Sequence, residues 1–332
     1  MTYKLLRKYK RLTLLLEGLL ILLAFGILYN YYLPIGKEGK LVYFDVQDRQ
    51  GVLQTLQENG YNITDWDLLL MPQHAIPKKG WYKITHTNEG RYHFFDQLNQ
   101  NRVKSMKLRI YPGENSKELI QRLANDMKLD AKELKKYYQE HAQFKEANLL
   151  AGTYSIARDA DANTTMAHLF SQTSHTIEKL KKIYHIDTLT PQTLHTLLTV
   201  ASIVQKESNN PQEMPLIASV IYNRLGRNMK LQMDGTLNYG KYSHTIVTPE
   251  RIKTDTSRYN TYKFKGLPPA PLASVSAQAL EAVMFPESTN YLFFMLDKKG
   301  GHNFSATYEE HLTHLKAFKA YLKTRDSNRS SM

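Results

Sequence analysis

A single acidic residue, Glu207, closes an apolar segment of the chain that is predicted to be helical. From Leu194 onward the apolar side chains recur three or four residues apart, which is typical of one buried helical face. Glu207 lies four residues after Ile203 and falls on that face, whereas Gln205 and Lys206 are expected to point away from it. Burial disfavours the charged form of a carboxylic acid and raises its pKa, so Glu207 could hold a proton and act as a general acid near neutral pH. The alternative is a structural helix-end Glu that reaches water.

Several short polar and aromatic motifs follow Glu207, and each of the last three is a loop or turn signal with a polar or aromatic residue beside it. They are Asn223-Arg224-Leu225, Gln232-Met233-Asp234, Tyr259-Asn-Thr-Tyr262, Gly266-Leu-Pro-Pro269 and Gly300-Gly-His-Asn-Phe304. Each motif alone would be a weak signal. Together with the Lys206-Glu207 pair, and in this order, they resemble the catalytic domain of the endolytic murein transglycosylases, the MltG or YceG-like family.

This resemblance implies a lytic transglycosylase that cleaves the MurNAc-GlcNAc bond within nascent peptidoglycan strands, leaves 1,6-anhydroMurNAc ends and terminates strand elongation. Most glycosidases use two carboxylates. A lytic transglycosylase needs no enzyme nucleophile, because the C6 hydroxyl of the same muramic sugar is close enough to attack C1. One prominent acid, Glu207, is consistent with that chemistry. The alternatives are a hydrolase of the same bond and a non-catalytic peptidoglycan-binding scaffold.

The nearest candidate for a second carboxylate is Asp234. It could stabilise positive charge on the sugar or orient a substrate amide. It could equally cap the segment that begins at Gly235. The sequence leaves these alternatives open.

Four further polar residues are candidates for substrate binding. Gln232, Asn260 and Tyr262 can make the directional hydrogen bonds that N-acetyl groups require. His302, between paired glycines and Phe304, could contact the substrate or Glu207, or could be structural.

Other kinds of site are not supported. The chain has no cysteine, which excludes disulfides, thiolate nucleophiles and cysteine-based metal sites. His311, His314 and Glu310 lack the His-Glu-x-x-His spacing, so we assign no metal and no cofactor. Ser202 and Lys206 do not have the Ser-x-x-Lys spacing of penicillin-binding proteins.

Charge and motif content indicate the partners. The net charge is +13, of which the first 33 residues contribute +4 and the rest +9. A basic ectodomain suits an acidic polymer or a membrane surface, and no nucleic-acid-binding signature is present. We therefore expect the cytoplasmic membrane as a partner and no nucleic acid, and the family resemblance implies peptidoglycan glycan strands. The family resemblance adds the peptidoglycan synthases of elongation or division.

The composition of the N-terminal region indicates a membrane anchor. Leu12–Leu33 is a run of 22 residues with one acidic side chain, and a helix of that length spans ~33 Å, enough for a bilayer core. Tyr29, Tyr31 and Tyr32 would form an aromatic belt at its far end. Five basic residues precede the run, so the N-terminus should be cytoplasmic and residues 34–332 should lie on the outer, periplasmic face of a single-pass inner-membrane protein. A cleaved signal peptide is the alternative, but no clear cleavage site follows.

The remaining pattern predicts an α+β chain. Alternating apolar residues predict strands at Leu41–Val46, Gly80–Ile84 and Met106–Tyr111, with helices near 50–59, 65–71 and 91–100. Asn115 and Glu118 form a capping box for a helix through Met127. In the family this stretch resembles a LysM-like module, and Lys79–Tyr82 matches its Gly-x-Tyr strand. The predicted segments are a basic cytoplasmic tail (1–11), a transmembrane helix (12–33), a LysM-like α+β module (40–110), a mostly helical connector (111–185), an α+β catalytic domain (186–325) and a polar tail (326–332).

Overall fold

The computed structural model describes residues 2–45, 48–186 and 188–330 of the chain. Two of the predicted segments end outside these ranges, since Val46 of the first strand and residues 331–332 of the polar tail are not among them. The chain mixes helices and sheets, as predicted. It divides into two compact units, of which unit 1 holds residues 1–107 and 155–160 and unit 2 holds residues 108–154 and 161–332.

Unit 1 begins with a long helix, α1 (Thr2–Tyr32). Its segment Arg7–Tyr32 is long and apolar enough to cross a membrane, by length and composition, and most of its leucines are exposed. The predicted aromatic belt needs a correction. Tyr31 and Tyr32 are exposed, but Tyr29 is buried and donates a hydrogen bond to Asp67 Oδ2 at 3.0 Å, so it belongs to the core of unit 1.

The rest of unit 1 is a small α+β module in which two strands enclose two helices and a third helix follows. These elements are β1 (Leu41–Phe44), α2 (Arg49–Glu58), α3 (Asp67–Leu70), β2 (Gly80–Lys83) and α4 (Arg91–Leu98). β1 and β2 pair antiparallel, with Val42 opposite Tyr82. Val42 and Phe44 point inward at the period of two that a strand imposes, and they pack on α2 and α4 side chains.

A second two-stranded sheet pairs β3 (Ser105–Ile110) with β4 (Gly152–Ala157). Between these strands lie α5 (Ser116–Met127) and α6 (Ala131–His141). Both hydrogen bonds of the predicted capping box are present at the start of α5. The connector predicted as mostly helical therefore also contains a strand, β4, which the Lys- and Glu-rich composition around it obscured.

The remaining elements of unit 2 are mainly helices. They are α7 (Ala162–Ile183), α8 (Pro191–Glu207), α9 (Met214–Gly226), α10 (Pro249–Thr254), α11 (Ala277–Met284), the hairpin of β5 (Phe293–Leu296) and β6 (His302–Ser305), and α12 (Tyr308–Ser330). α8 starts at a Thr190 cap with proline in the first turn, a favourable helix start. α8, α9 and α11 pack together, and their apolar faces form the core of the unit.

Candidate functional site

Glu207 is the last residue of α8, and the chain turns to an extended conformation at Ser208. The predicted apolar face is confirmed, because Ile203 and Val204 are fully buried beneath it. The expectation for Gln205 was wrong. It is buried, and its side-chain oxygen accepts hydrogen bonds from the backbone and hydroxyl of Ser276 at 3.1 and 2.7 Å. This polar residue near Glu207 thus ties α8 to the start of α11.

Lys206, directly before Glu207, is also held within the protein. Its Nζ donates to the carbonyl of Gly113 at 2.8 Å. Burial lowers the pKa of the Lys206 ammonium, while the carboxylates of Glu118 and Glu146 oppose that shift. The last turn of α8 is therefore fixed by polar contacts on two sides of the acid.

The Glu207 carboxyl is half-buried and makes one hydrogen bond within the described part of the chain, in which the Gly235 N–H donates to Oε1 at 3.0 Å. Burial raises the pKa of Glu207 to about 7. The hydrogen bond from Gly235 and the charge of His302 act to lower this pKa, and the negative charge of Asp234 acts to raise it. The second oxygen, Oε2, is the one that can carry a proton to a ligand.

Gly235 lies in a short 3-10 turn, Asp234–Leu237, and its lack of a side chain is required there. A Cβ at this position would lie 2.9 Å from Glu207 Oε1 and 2.7 Å from the Cβ of Lys206. Only glycine lets the backbone N–H approach the carboxyl this closely. The one sequence signal for this contact was the motif order, since Gly235 follows the Gln-x-Asp motif directly.

Asp234 and Tyr262 form a pair next to Glu207. The Tyr262 hydroxyl donates to Asp234 Oδ1 at 2.6 Å, and the aspartate side chain is exposed. The turn that contains Asp234 is preceded by Met233 and has no side-chain cap, so the capping alternative does not describe Asp234. Burial, together with the negative charge of Asp234, raises the pKa of Tyr262, which therefore stays a neutral donor.

Asn260 requires a correction as a substrate contact. It is fully buried, and its amide nitrogen donates to the carbonyls of Ile252 and Asp255, both at 2.9 Å. Its side-chain oxygen accepts the backbone N–H of Tyr262 at 3.1 Å. Both polar atoms of the Asn260 side chain are thus engaged within the protein, and they shape the loop that presents Tyr262.

Gln232, two residues before Asp234, has an exposed side chain. Its backbone adopts a left-handed conformation, with φ of 53°, which few residues other than glycine and asparagine favour. The backbone N–H of Gln232 donates to the carbonyl of Thr261 at 3.2 Å. The exposed amide group of the side chain can therefore hydrogen-bond to a ligand while the backbone is held by its neighbour.

His302 has a partner that sequence reasoning missed, Glu213. The His302 backbone N–H and ring Nδ1 lie 2.9 Å from the two carboxyl oxygens of Glu213, and both side chains are largely buried. Although burial opposes it, the hydrogen bonds from His302 and from Ser208 lower the pKa of Glu213. Glu213 therefore remains a carboxylate and holds the imidazole near Glu207.

Arg224 is a further residue of the candidate site, and the sequence identified it only as part of a motif. It is buried, and its guanidinium donates to the carbonyls of Leu231 and Leu292, both at 2.6 Å. These bonds fasten the segment that leads into Gln232 to the start of the β5 hairpin. A guanidinium has five donors and no acceptor, and so it suits a position that must bind several carbonyls.

Together these residues form an acid that is still partly protonated at pH 7, an adjacent carboxylate, and several hydrogen-bond donors. That combination allows proton donation to a leaving group and stabilisation of positive charge on a bound sugar. Protein side chains alone can supply both steps.

Comparison with known proteins places the chain in a family. The model of the YceG-like family matches residues 46–317. The chain is 39% identical over 120 residues to an endolytic murein transglycosylase of Bacillus subtilis (strain 168), an alignment that covers 36% of this chain and 33% of the relative. It is 34% identical over 171 residues to an endolytic murein transglycosylase of Streptococcus pneumoniae (strain ATCC BAA-255 / R6), which covers 50% of this chain and 30% of the relative.

A solved structure shares the fold. It is a yceG-like protein from Listeria monocytogenes, with a TM-score of 0.51 and 24% sequence identity, and the superposition covers 84% of this chain and 99% of that one. The chain spans about a third of the length of the curated relatives it matches. Because the family model covers most of the sequence, this chain belongs to the YceG-like family.

Proposed function

We propose that the chain is a membrane-anchored endolytic lytic transglycosylase of peptidoglycan. Its reaction would cut the MurNAc-GlcNAc bond within nascent glycan strands and so end their elongation. The observation that carries this proposal is the position of the Glu207 carboxyl at the end of α8, where the Gly235 N–H donates to Oε1 and burial raises the pKa to about 7. The names of the two curated relatives support the substrate class.

In the first half of the reaction, neutral Glu207 donates its proton to the glycosidic oxygen. The bond between this oxygen and C1 of the muramic sugar breaks, and the oxygen leaves as the free hydroxyl of N-acetylglucosamine. Positive charge develops at C1 and the ring oxygen. Oε2 of Glu207 is the oxygen that would carry the proton, because Oε1 already accepts the Gly235 N–H.

In the second half, the Glu207 carboxylate accepts the proton of the C6 hydroxyl on the same muramic sugar. O6 then bonds to C1 and closes the 1,6-anhydro ring, so no water enters the product. One acid can serve both steps, since it ends the first step in the basic form that the second step needs. Holding O6 close to C1 replaces the enzyme nucleophile that other glycosidases supply.

Asp234 has two effects in this scheme. Its negative charge favours the protonated form of Glu207 before the reaction, and it can stabilise the positive charge that develops on the sugar. Tyr262 orients the Asp234 carboxylate through its hydroxyl. Gln232 and His302 would bind N-acetyl groups of the strand, with Glu213 fixing the ring of His302.

A hydrolase of the same bond is the second candidate, and the position of Asp234 favours it. An exposed carboxylate close enough to shift the pKa of Glu207 could activate water, as in glycosidases with two carboxylates. The two mechanisms differ in the chain end that they leave, since hydrolysis adds one water molecule to the product.

The experiment is mass analysis of glycan strands cleaved by the full-length protein in detergent, with the Glu207→Gln variant as the control. We expect ends that are lighter than the reducing ends by one water, and no such ends with the variant. Reducing ends from the wild type, together with an Asp234→Asn variant as inactive as Glu207→Gln, would establish the hydrolase instead. Strands left intact by the wild type would support the non-catalytic scaffold.

We further propose that α1 anchors the chain in the cytoplasmic membrane, with the N-terminus in the cytoplasm and unit 2 on the outer face. The apolar length of α1 and the basic residues before its apolar part support this orientation. A reporter fused to the C-terminus should report the outer face, and the full-length chain should fractionate with the membrane. Recovery of a soluble chain that starts near residue 30 would reveal a cleaved signal peptide. Peptidoglycan synthases are proposed as partners on the family resemblance.

The β1-α2-α3-β2 order of unit 1, with its antiparallel pair, supports a LysM-like module, and we propose that this module binds glycan strands. Trp66 and Leu69 are exposed on this unit and offer an apolar surface to sugar rings. Full-length Glu207→Gln protein should sediment with insoluble peptidoglycan, and Trp66→Ala in that background should sediment less. Equal sedimentation of the two proteins would contradict a role for this surface.

A further inference from the structure

Three side chains of metal-ligating type meet in unit 1, at the turn that leads into α4. His86 Nδ1 lies 2.9 Å from Glu89 Oε1, and His93 Nε2 lies 3.0 Å from Glu89 Oε2. The ligand atoms of the three residues all lie within 4.8 Å of one another. The carboxylate is exposed and the two imidazoles are partly buried, so the cluster opens to solvent on one side.

The backbone conformation of this turn positions the three side chains. His86 adopts a left-handed conformation with φ of 59°, and Gly90 has φ of 98° immediately before α4. Between them, the backbone N–H of Thr87 donates to Glu38 Oε1 at 2.9 Å. The turn is therefore pinned, and it brings His86 over the first turns of α4, where the rings of His86 and His93 lie 5.4 Å apart.

Two imidazoles and one carboxylate are a ligand set that suits zinc and similar divalent transition ions. Ligands at ~2.1 Å from such an ion lie roughly 3.4 Å from one another in tetrahedral geometry. The observed nitrogen–oxygen separations are somewhat shorter than this, so small rotations of the side chains would admit an ion between them. Water would complete the coordination on the exposed side.

We propose that His86, Glu89 and His93 bind a divalent transition-metal ion of the zinc class. The ion would replace the two imidazole–carboxylate hydrogen bonds with three coordinate bonds and would clamp the turn onto α4. This site is separate from the acid chemistry of Glu207 and does not depend on the proposed function. It revises the expectation from sequence that the chain has no metal site.

The spacing explains why sequence reasoning missed the site. His86, Glu89 and His93 follow the pattern His-x-x-Glu-x-x-x-His, in which only Glu89 and His93 have the four-residue separation of one helical face. His86 precedes the helix and reaches the others through its left-handed backbone conformation. No helical periodicity encodes that conformation.

The experiment is calorimetric titration of ZnCl₂ into the metal-free, full-length chain in detergent, with no histidine tag. We expect one ion per chain at this site and a thermal stabilisation of the protein, because the ion binds the folded turn. Substituting Co²⁺ should produce the visible absorption bands of a tetrahedral or five-coordinate site. His86→Ala and His93→Ala should each weaken binding by at least roughly 10-fold, because even the loss of a residue that only hydrogen-bonds to a metal ligand typically costs that much.

Two further variants keep the test decisive. Glu89→Gln retains hydrogen-bonding capacity towards both imidazoles but is a weaker ligand, so it should fold normally and lose the bound ion. His74→Ala removes an exposed histidine that is paired with Asp96 in the same unit, and it should bind zinc like the wild type. Zinc binding that is absent from the wild type, or equal in Glu89→Gln and His74→Ala, would overturn the proposal and leave the cluster as hydrogen bonds alone.

Discussion

Each unit of the protein contains a carboxyl group that is shielded from water, and the two groups differ in their hydrogen bonds and charged neighbours. Asp67 in unit 1 is fully buried and accepts hydrogen bonds from Arg91 Nε at 2.6 Å and Nη2 at 2.7 Å. It also accepts the backbone N–H of Thr64 at 2.8 Å. Glu207 in unit 2 has a backbone donor at 3.0 Å and a negative neighbour, Asp234, that disfavours its ionisation.

The difference shows what separates a structural carboxyl from one that can transfer a proton. A buried charge is stable only when it is paired and its oxygens are hydrogen-bonded, and Arg91 provides both for Asp67 with two parallel bonds. Glu207 has no such arginine or lysine partner among the described residues, so burial raises its pKa instead. In unit 1 an ion pair offsets the free-energy cost of burying a carboxylate charge. In unit 2 the bound proton removes the charge.

The largest effect should come from breaking the ion pair of unit 1. Arg91→Met leaves Asp67 buried without its cation, which should lower the free energy of unfolding by about 3–5 kcal/mol. Chemical denaturation of the full-length protein, followed by the fluorescence of unit 1 tryptophans, measures this loss. Adding Asp67→Asn to Arg91→Met should recover part of it, and a single variant as stable as the wild type would mean that the pair is not structural.

Replacing the acid of unit 2 should instead abolish chemistry and spare the fold. Glu207→Gln keeps the shape and the acceptor for Gly235 but cannot donate a proton, so cleavage should fall by roughly 10²-fold or more. The release of glycan ends per enzyme measures it.

The raised pKa means that the stability contributed by protonated Glu207 is present below the ordinary value of 4.5 and is lost as pH rises to about 7.

This pH dependence of stability gives Glu207→Gln a second measurable effect. Because glutamine does not ionise, Glu207→Gln should unfold at a higher temperature than the wild type at pH 8, and by a smaller margin at pH 4. Near-normal cleavage by this variant would contradict the assignment of Glu207 as the acid.

A substitution at Gly235 tests the close contact between its backbone and the Glu207 carboxyl. In Gly235→Ala the new Cβ would press on Glu207 Oε1 and on the Cβ of Lys206, so the turn must shift at a cost of about 1–3 kcal/mol. Cleavage should fall as well, because the N–H no longer positions the carboxyl. Gly226→Ala is the matched control, since a methyl group there would meet no described atom within 4 Å beyond its own helix, and the change should leave cleavage intact. Equal behaviour of the two variants would refute the close contact.

The smallest effects should be opposite shifts in the pH dependence of cleavage. Activity should fall as pH rises through the pKa of Glu207, since in the proposed mechanism the neutral acid starts the reaction. Asp234→Asn removes a charge that raises this pKa, so the fall should move to lower pH, whereas His302→Gln removes a charge that lowers it and should move the fall to higher pH. Profiles of kcat/KM against pH measure both, and shifts of the same sign would contradict this electrostatic arrangement.

The helix of Glu207 and the order of the motifs could be predicted from the sequence, because an apolar face at helical spacing and local turn signals are properties of short segments. The engagement of Asn260 in its own loop could not, since its partners Ile252 and Asp255 become visible only in three dimensions. The pairing of Glu213 with His302 was hidden for the same reason, because 89 residues separate them.

Tyr29 shows a different limit of sequence reasoning. An aromatic residue at the end of an apolar helix suits a membrane interface and a protein core equally, because both environments accept a ring with one polar atom. The contact with Asp67, 38 residues further along the chain, shows that Tyr29 belongs to the protein core.

The most direct test of the central claim is the titration of the Glu207 carboxyl itself. The protein would be labelled with ¹³C at the glutamate carboxyl carbon, and the Glu207 signal would be assigned as the one that is missing from Glu207→Gln. We expect this signal to titrate with a pKa of about 7, as its burial beside a negative neighbour requires. A titration near 4.3, roughly the value of an unperturbed glutamate, would contradict the account, because Glu207 would then be ionised at neutral pH and could not start the reaction as an acid.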